Sequence, residues 1–154
     1  PTALPEAPAP DAQHRHTLLY VEDNPANLQL VEQLILRRPD MRLLSARDAS
    51  EGIEIARAAQ PKIILMDINL PGMSGVEALK ILREDPRTAH IPVVALSANA
   101  LPRDVQRGLE AGFLRYLTKP IVVGRFMATL TEALTTADEA LQRLHDPRAS
   151  DEGS

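Results

Sequence analysis

The sequence predicts an α/β domain, a doubly wound parallel sheet with helices on both faces, and three observations carry that prediction. Between Thr17 and Thr136, short oily runs alternate with amphipathic segments, the pattern of strands and helices in strict succession. Several runs are oily on both faces, as parallel strands covered by helices on each side must be. Polar, chemically capable residues stand directly after four of the five runs, and the carboxyl ends of strands are where open sheets of this kind carry their chemistry.

The run TLLYV (17–21) is the first strand and leads into Glu22 and Asp23. Asn24 suits a helix cap, with Pro25 in the first turn, where a missing N–H costs nothing; Leu28, Val31, Leu34 and Ile35 then share one helical face. MRLLSA (41–46) is the second strand, and Ala49, Ile53 and Ala56 mark the inner face of the second helix. KIILM (62–66) is the third strand, halted by Asp67 and succeeded by a Pro71-Gly72 turn. Val76, Leu79 and Leu82 are the expected buried stripe of the third helix. IPVVALS (91–97) ends on Ser97, and a fourth helix runs from Pro102 to Glu110, stopping near Gly112. RYLT (115–118) leads to Lys119, and the fifth helix spans Val122 to Thr136 with Phe126, Leu130 and Leu134 inward. Five strand-helix units with right-handed crossovers make a three-layer open sheet.

The ends read differently. Residues 1–16, PTALPEAPAPDAQHRH, alternate proline and alanine with little to bury, so a flexible linker is expected there. Residues 138–154 begin as a helical extension and dissolve into DPRASDEGS, a charged tail expected to end disordered. The domain proper is expected at 17–137. The chain starts on Pro1 rather than methionine, so excision from something longer, or trimming, is expected.

Composition narrows the function. A net charge of -4 and 3% aromatic residues leave neither a basic face for a polyphosphate backbone nor a base-stacking platform, so no direct nucleic-acid contact is expected. The absence of cysteine excludes disulfides and thiolate metal sites. No apolar run reaches spanning length and no signal peptide is legible, so the expectation is a cytoplasmic domain without direct membrane contact, whose parent chain can still be membrane-anchored. Neither a dinucleotide fingerprint nor a P-loop occurs. No motif specifies an oligomeric state.

The residues at the strand ends are more telling. Three carboxylates converging on one sheet edge repel: at about 4 Å and an effective dielectric of roughly 20, each like-charged pair costs on the order of 4 kcal/mol, so a cation or protons must compensate. An all-oxygen site with few protein ligands suits Mg²⁺. A carboxylate held beside that metal can attack phosphorus and become an acyl phosphate. In this reading Asp67 is the nucleophile, Asp23 a direct metal ligand, Glu22 a ligand through water, and the backbone carbonyl of Asn69 completes the shell. Lys119 offers a point charge to phosphoryl oxygens, and Ser97 a hydroxyl donor. Taken singly, an aspartate after a strand is most often a turn former or cap, and a lysine a surface charge. Their coincidence at the ends of four strands is what argues for chemistry. The reading requires that these side chains share one pocket and that Asp67 not be buried away from solvent.

The acidic pair in YVEDNPAN, the aspartate in LMDINLPGMSG, the hydroxyl in VVALSAN and the lysine-proline step in YLTKP resemble response-regulator receiver domains of two-component signalling, over residues 17 to 136. That resemblance implies a flavodoxin-like (βα)5 fold with strand order 2-1-3-4-5. It also implies that Asp67 accepts a phosphoryl group from a histidine of a sensor histidine kinase or histidine phosphotransfer protein, with Mg²⁺ as cofactor. Ser97 and Tyr116 would form the switch pair, Lys119 would hold the phosphoryl group, and the Lys119-Pro120 bond would be cis. Asn69 and Asn99 would tune the lifetime of the phosphoryl state. EDNPAN together with the Pro/Ala leader looks like receivers at the C-terminal end of hybrid sensor kinases. Such a domain modifies its own side chain and is not a turnover enzyme. A phosphohydrolase with the same nucleophile would want an aspartate two residues on, where Asn69 stands; a module that binds its partner irrespective of phosphorylation is the other alternative.

Overall fold

A computed structural model describes residues 16–99 and 101–145. The elements alternate without exception: β1 (His16–Val21), α1 (Pro25–Ile35), β2 (Met41–Ala46), α2 (Ala49–Ala59), β3 (Ile63–Asp67), α3 (Gly75–Glu84), β4 (Val93–Ser97), α4 (Pro102–Ala111), β5 (Arg115–Thr118) and α5 (Val123–His145). All strand pairs are parallel, in the order β2-β1-β3-β4-β5. This is the expected doubly wound sheet, and the order reverses between β1 and β3.

The two-faced oiliness of the strands resolves into two cores, because successive side chains of a strand point to opposite faces. Leu18, Tyr20, Ile63, Leu65, Val94 and Leu96 face α1 and α5, where Val31, Leu34, Phe126 and Leu130 meet them. Leu19, Val21, Ile64, Met66, Val93 and Ala95 face the other way, against Ile53 and Ala56 of α2 and Leu79 and Leu82 of α3. A central strand locked from both sides is a rigid mount for the residue at its end.

Local chemistry accounts for the helix ends. The Asn24 side chain accepts from the N–H groups of Ala26 and Asn27, capping α1 as its position predicts. Ser74 and Glu77 form a reciprocal capping box on α3. Gly112 ends α4 at φ +118°, a left-handed conformation that favours glycine.

Several expectations need correction. Val76 is 44% exposed, because Gly75, Ala78, Leu79 and Leu82 occupy the inward face of α3 and leave Val76 at its margin. Leu28 and Leu134 pack against the α1/α5 core but are only partly buried. Asp67 is the last residue of β3 itself, paired in register with Leu96. His16, counted with the linker, opens β1 opposite Met41. The fifth helix and the helical extension expected after it are one element, unbroken to His145, with Ala137 buried and Lys62 bonded to Asp138 at 2.6 Å. The remainder of the expected linker, residues 1–15, and the end of the expected tail, residues 146–154, lie outside the described residues.

Candidate phosphoacceptor site

The carboxyl ends of β1, β3, β4 and β5 supply the site. Glu22 follows β1 and is 2% exposed; Asp67 ends β3 and is also 2% exposed; Asp23 is exposed at the mouth. One carboxylate oxygen from each of these three lies within 4.8 Å of the others. Lys119, directly after β5, brings its ammonium to 3.2 Å from Asp67 Oδ2 and 3.3 Å from Glu22 Oε1. The sequence-predicted acidic trio and lysine therefore meet.

Burial of Asp67 departs from the expectation that it faces solvent. Its Oδ2 lies 3.2 Å from the ammonium of Lys119, whose side chain is 22% exposed. Burial therefore goes against that expectation, although the lysine that contacts Asp67 reaches solvent itself. Its Oδ1 accepts the Asn69 N–H at 2.9 Å. Ser97 is wholly buried, one residue beyond the register partner of Asp67, and its Oγ accepts the Asn99 N–H at 3.0 Å. The Lys119 N–H donates to the Ser97 carbonyl at 2.8 Å, tying the β4 and β5 ends together. The Lys119-Pro120 bond is cis, as expected. Tyr116 is half-buried and leans on α4 rather than entering the acidic cluster.

The electrostatics are those of a crowded anionic pair sharing one cation. Burial pushes the Asp67 carboxyl up; the Asn69 N–H opposes this, the Glu22 carboxylate adds to it, and the lysine charge opposes it, leaving Asp67 above the usual carboxylate range. Burial also works to raise Glu22, but the Tyr20 hydroxyl, the neighbouring Asp67, Lys119 and the Asn24 N–H outweigh it, so Glu22 sits below that range. Glu22 is held as the anion and Asp67 is the group that feels the strain. The donor set is all oxygen, three carboxylates, which fits a hard divalent cation such as Mg²⁺.

Two contributors were not singled out in the sequence. Tyr20 donates to Glu22 Oε1 at 2.6 Å; the signal was a hydroxyl-bearing ring two residues before Glu22, hence on the same strand face. Gly108 of α4 lies under the Tyr116 ring: an added Cβ would stand 2.5 Å from its Cδ2. Nothing in the sequence spacing pairs those two residues. A groove of about 590 Å³ along α1 and the edge strand β2 touches none of the site residues.

Comparison with known proteins agrees with this geometry. Residues 18–131 match the family model described as response regulator receiver domain. The polar-differentiation response regulator DivK of Brucella anthropi is 38% identical over 121 residues, covering 79% of this chain and 98% of the relative. Among solved structures, the receiver domain of the sensor histidine kinase PA1611 of Pseudomonas aeruginosa, which has a magnesium ion coordinated in its active site cleft, is 30% identical with a TM-score of 0.71, covering 79% of this chain and 98% of that one. The chemotaxis response regulator CheY4 of Vibrio cholerae is 27% identical, with a TM-score of 0.71 and coverage of 78% and 99%. The matched stretch runs unbroken from the strand that delivers Glu22 to beyond the loop that delivers Lys119, and the chain belongs to the response regulator receiver domains of two-component signalling.

Proposed function

We propose that Asp67 is the phosphoacceptor, taking a phosphoryl group from a phosphohistidine of a sensor histidine kinase or a histidine phosphotransfer protein. The observation that carries this is the Lys119 ammonium bridging Asp67 and Glu22, with Asp23 at the mouth. A carboxylate oxygen of Asp67 attacks phosphorus, the new O–P bond forms as the P–N bond to the histidine breaks, and the imidazole leaves with the bonding pair. The Asn69 N–H and Lys119 orient the nucleophile, and the Lys119 ammonium then pairs with the phosphoryl oxygens, so transfer depends on positioning and charge more than on acid–base chemistry. Glu22, Asp23, Asp67 and the Asn69 carbonyl would hold Mg²⁺, which when bound supplies positive charge to the phosphoryl oxygens. That the Pseudomonas kinase receiver has magnesium in its cleft supports the assignment.

Downstream of transfer, Ser97 and Tyr116 make the switch, the hydroxyl engaging the phosphoryl group and the ring following it inward. Asn69 and Asn99 flank the site and set how long the phosphoryl group survives. The domain acts on its own side chain, without turnover of a separate substrate, in the cytoplasm; the likeness to a kinase-borne receiver supports placement in a hybrid sensor kinase, with residues 1–15 as linker. Among the described residues no helix is long and apolar enough to cross a membrane.

Intact-mass measurement tests the core of this. A small phosphodonor with Mg²⁺ should add one phosphoryl mass to the wild type and none to Asp67→Asn; equal labelling of the variant would refute the assignment. Substitutions at Asn69 and Asn99 should each alter the decay rate of the labelled form, and unaltered decay in both would remove them from the role.

A further inference from the structure

Tyr20 is fully buried in β1, and a phenylalanine would fill the same volume without a polar atom to satisfy. Its oxygen is committed to the site: it donates to Glu22 Oε1 at 2.6 Å. Besides the neighbouring Asp67 carboxyl, Glu22 receives the Asn24 N–H on Oε2 at 3.2 Å and the Lys119 ammonium near Oε1 at 3.3 Å. The first comes from the turn that Glu22 itself enters. The second is shared with Asp67 and rides on a partly exposed, flexible stem. Tyr20 alone reaches Glu22 from a rigid ring locked in the core, packed among Leu18, Leu65 and Phe126 of the α1/α5 side.

We propose that Tyr20 is a positioning residue of the metal site, its buried hydroxyl holding the Glu22 carboxylate turned toward Asp23 and Asp67. The inference rests on reading the acidic cluster as a Mg²⁺ site. Hydrogen-bond donors behind metal ligands fix ligand orientation, and their removal commonly weakens metal binding by about 10–100-fold. Without the phenol, Glu22 Oε1 is held by Lys119 alone, which draws the ammonium from Asp67 and frees the carboxylate to rotate.

Mg²⁺ titrations of the full 154-residue chain followed by amide NMR test this, on wild type, Tyr20→Phe, Glu22→Gln and the double variant. Tyr20→Phe should bind Mg²⁺ about tenfold more weakly, yet change affinity by less than about twofold once Glu22→Gln has removed the carboxylate through which it acts. Wild-type affinity in Tyr20→Phe, or an undiminished effect in the Glu22→Gln background, would overturn the proposal while leaving the site reading standing. A wild type that shows no Mg²⁺ response would overturn both. If Tyr20→Phe fails to fold, the same question goes to the wild-type sequence carrying 3-fluorotyrosine at its two tyrosines, with Tyr116→Phe for assignment. The Tyr20 fluorine signal should move with the Mg²⁺ midpoint of the amides, and an unmoved signal would overturn the proposal.

Discussion

At Asp67, burial and the Glu22 carboxylate hold the carboxyl above its ordinary value of 3.8 despite Asn69 and Lys119. A carboxyl whose folded value is raised favours folding below the unfolded value, and that contribution is lost as pH rises through the folded one. At neutral pH the ionised Asp67 therefore works against the metal-free fold, and Asp67→Asn is expected to melt higher than wild type without Mg²⁺. Lowering the pH from neutral toward about 4 should narrow the gap, as Asp67 takes up its proton. Glu22 has the opposite sign: its lowered value makes its contribution present above the ordinary value of 4.5 and lost on acidification below it, so it does not mask the effect in that window. Thermal melts of both proteins across pH in chelator measure this, and a variant that melts lower than wild type at neutral pH would contradict it. The acidic residues were legible in the sequence because each stands at the end of an oily run. The mutual burial of Glu22 and Asp67 was not, since burial depends on how closely β1 and β3 deliver their ends.

Among the elements, α4 and β5 show packing overruling spacing. Gly108 is the buried residue of α4, and its missing side chain is space that the Tyr116 ring occupies. Replacing it with alanine gains about 1 kcal/mol of helix propensity and meets overpacking that costs about 1–3 kcal/mol. Gly108→Ala is therefore expected to lose only about 1 kcal/mol in urea unfolding, the difference of those terms, while displacing the Tyr116 ring. The fluorine shift of 3-fluorotyrosine at Tyr116 should change markedly; an unshifted signal would mean that α4 moves instead of the ring. The same holds at α3, where Val76 fits the helical repeat but Gly75 and Ala78 take the inward places. Helix existence was readable from periodicity, yet which of two adjacent faces turns inward depended on the small residues that let α3 approach β3: a Cβ on Gly75 would stand 3.0 Å from Ile68 Cα.

For the molecule as a whole, the site and the fold share one free-energy balance. Among the described residues, the Lys119 ammonium that follows β5 offsets the repulsion between the carboxylates that β1 and β3 bring together. A cation that binds the folded state and not the unfolded chain stabilises by mass action, about 2.7 kcal/mol at one hundred times its dissociation constant. Mg²⁺ should accordingly raise the unfolding midpoint of the wild type, chelator should reverse the rise, and Asp67→Asn should show a smaller response. A Mg²⁺-independent midpoint in the wild type would argue that the carboxylates are satisfied without metal.

The order of strands and helices, and the placing of Glu22, Asp23, Asp67, Ser97 and Lys119 at strand ends, were determined by the sequence alone, because alternation of oily and amphipathic segments is a local property that survives without knowing the neighbours. Only tertiary structure decided that Asp67 is buried against Lys119, that a core tyrosine holds Glu22, and that Tyr116 rests on Gly108. Each depends on how separate elements pack together, and the energies involved are set by distance and burial, which no spacing along the chain encodes.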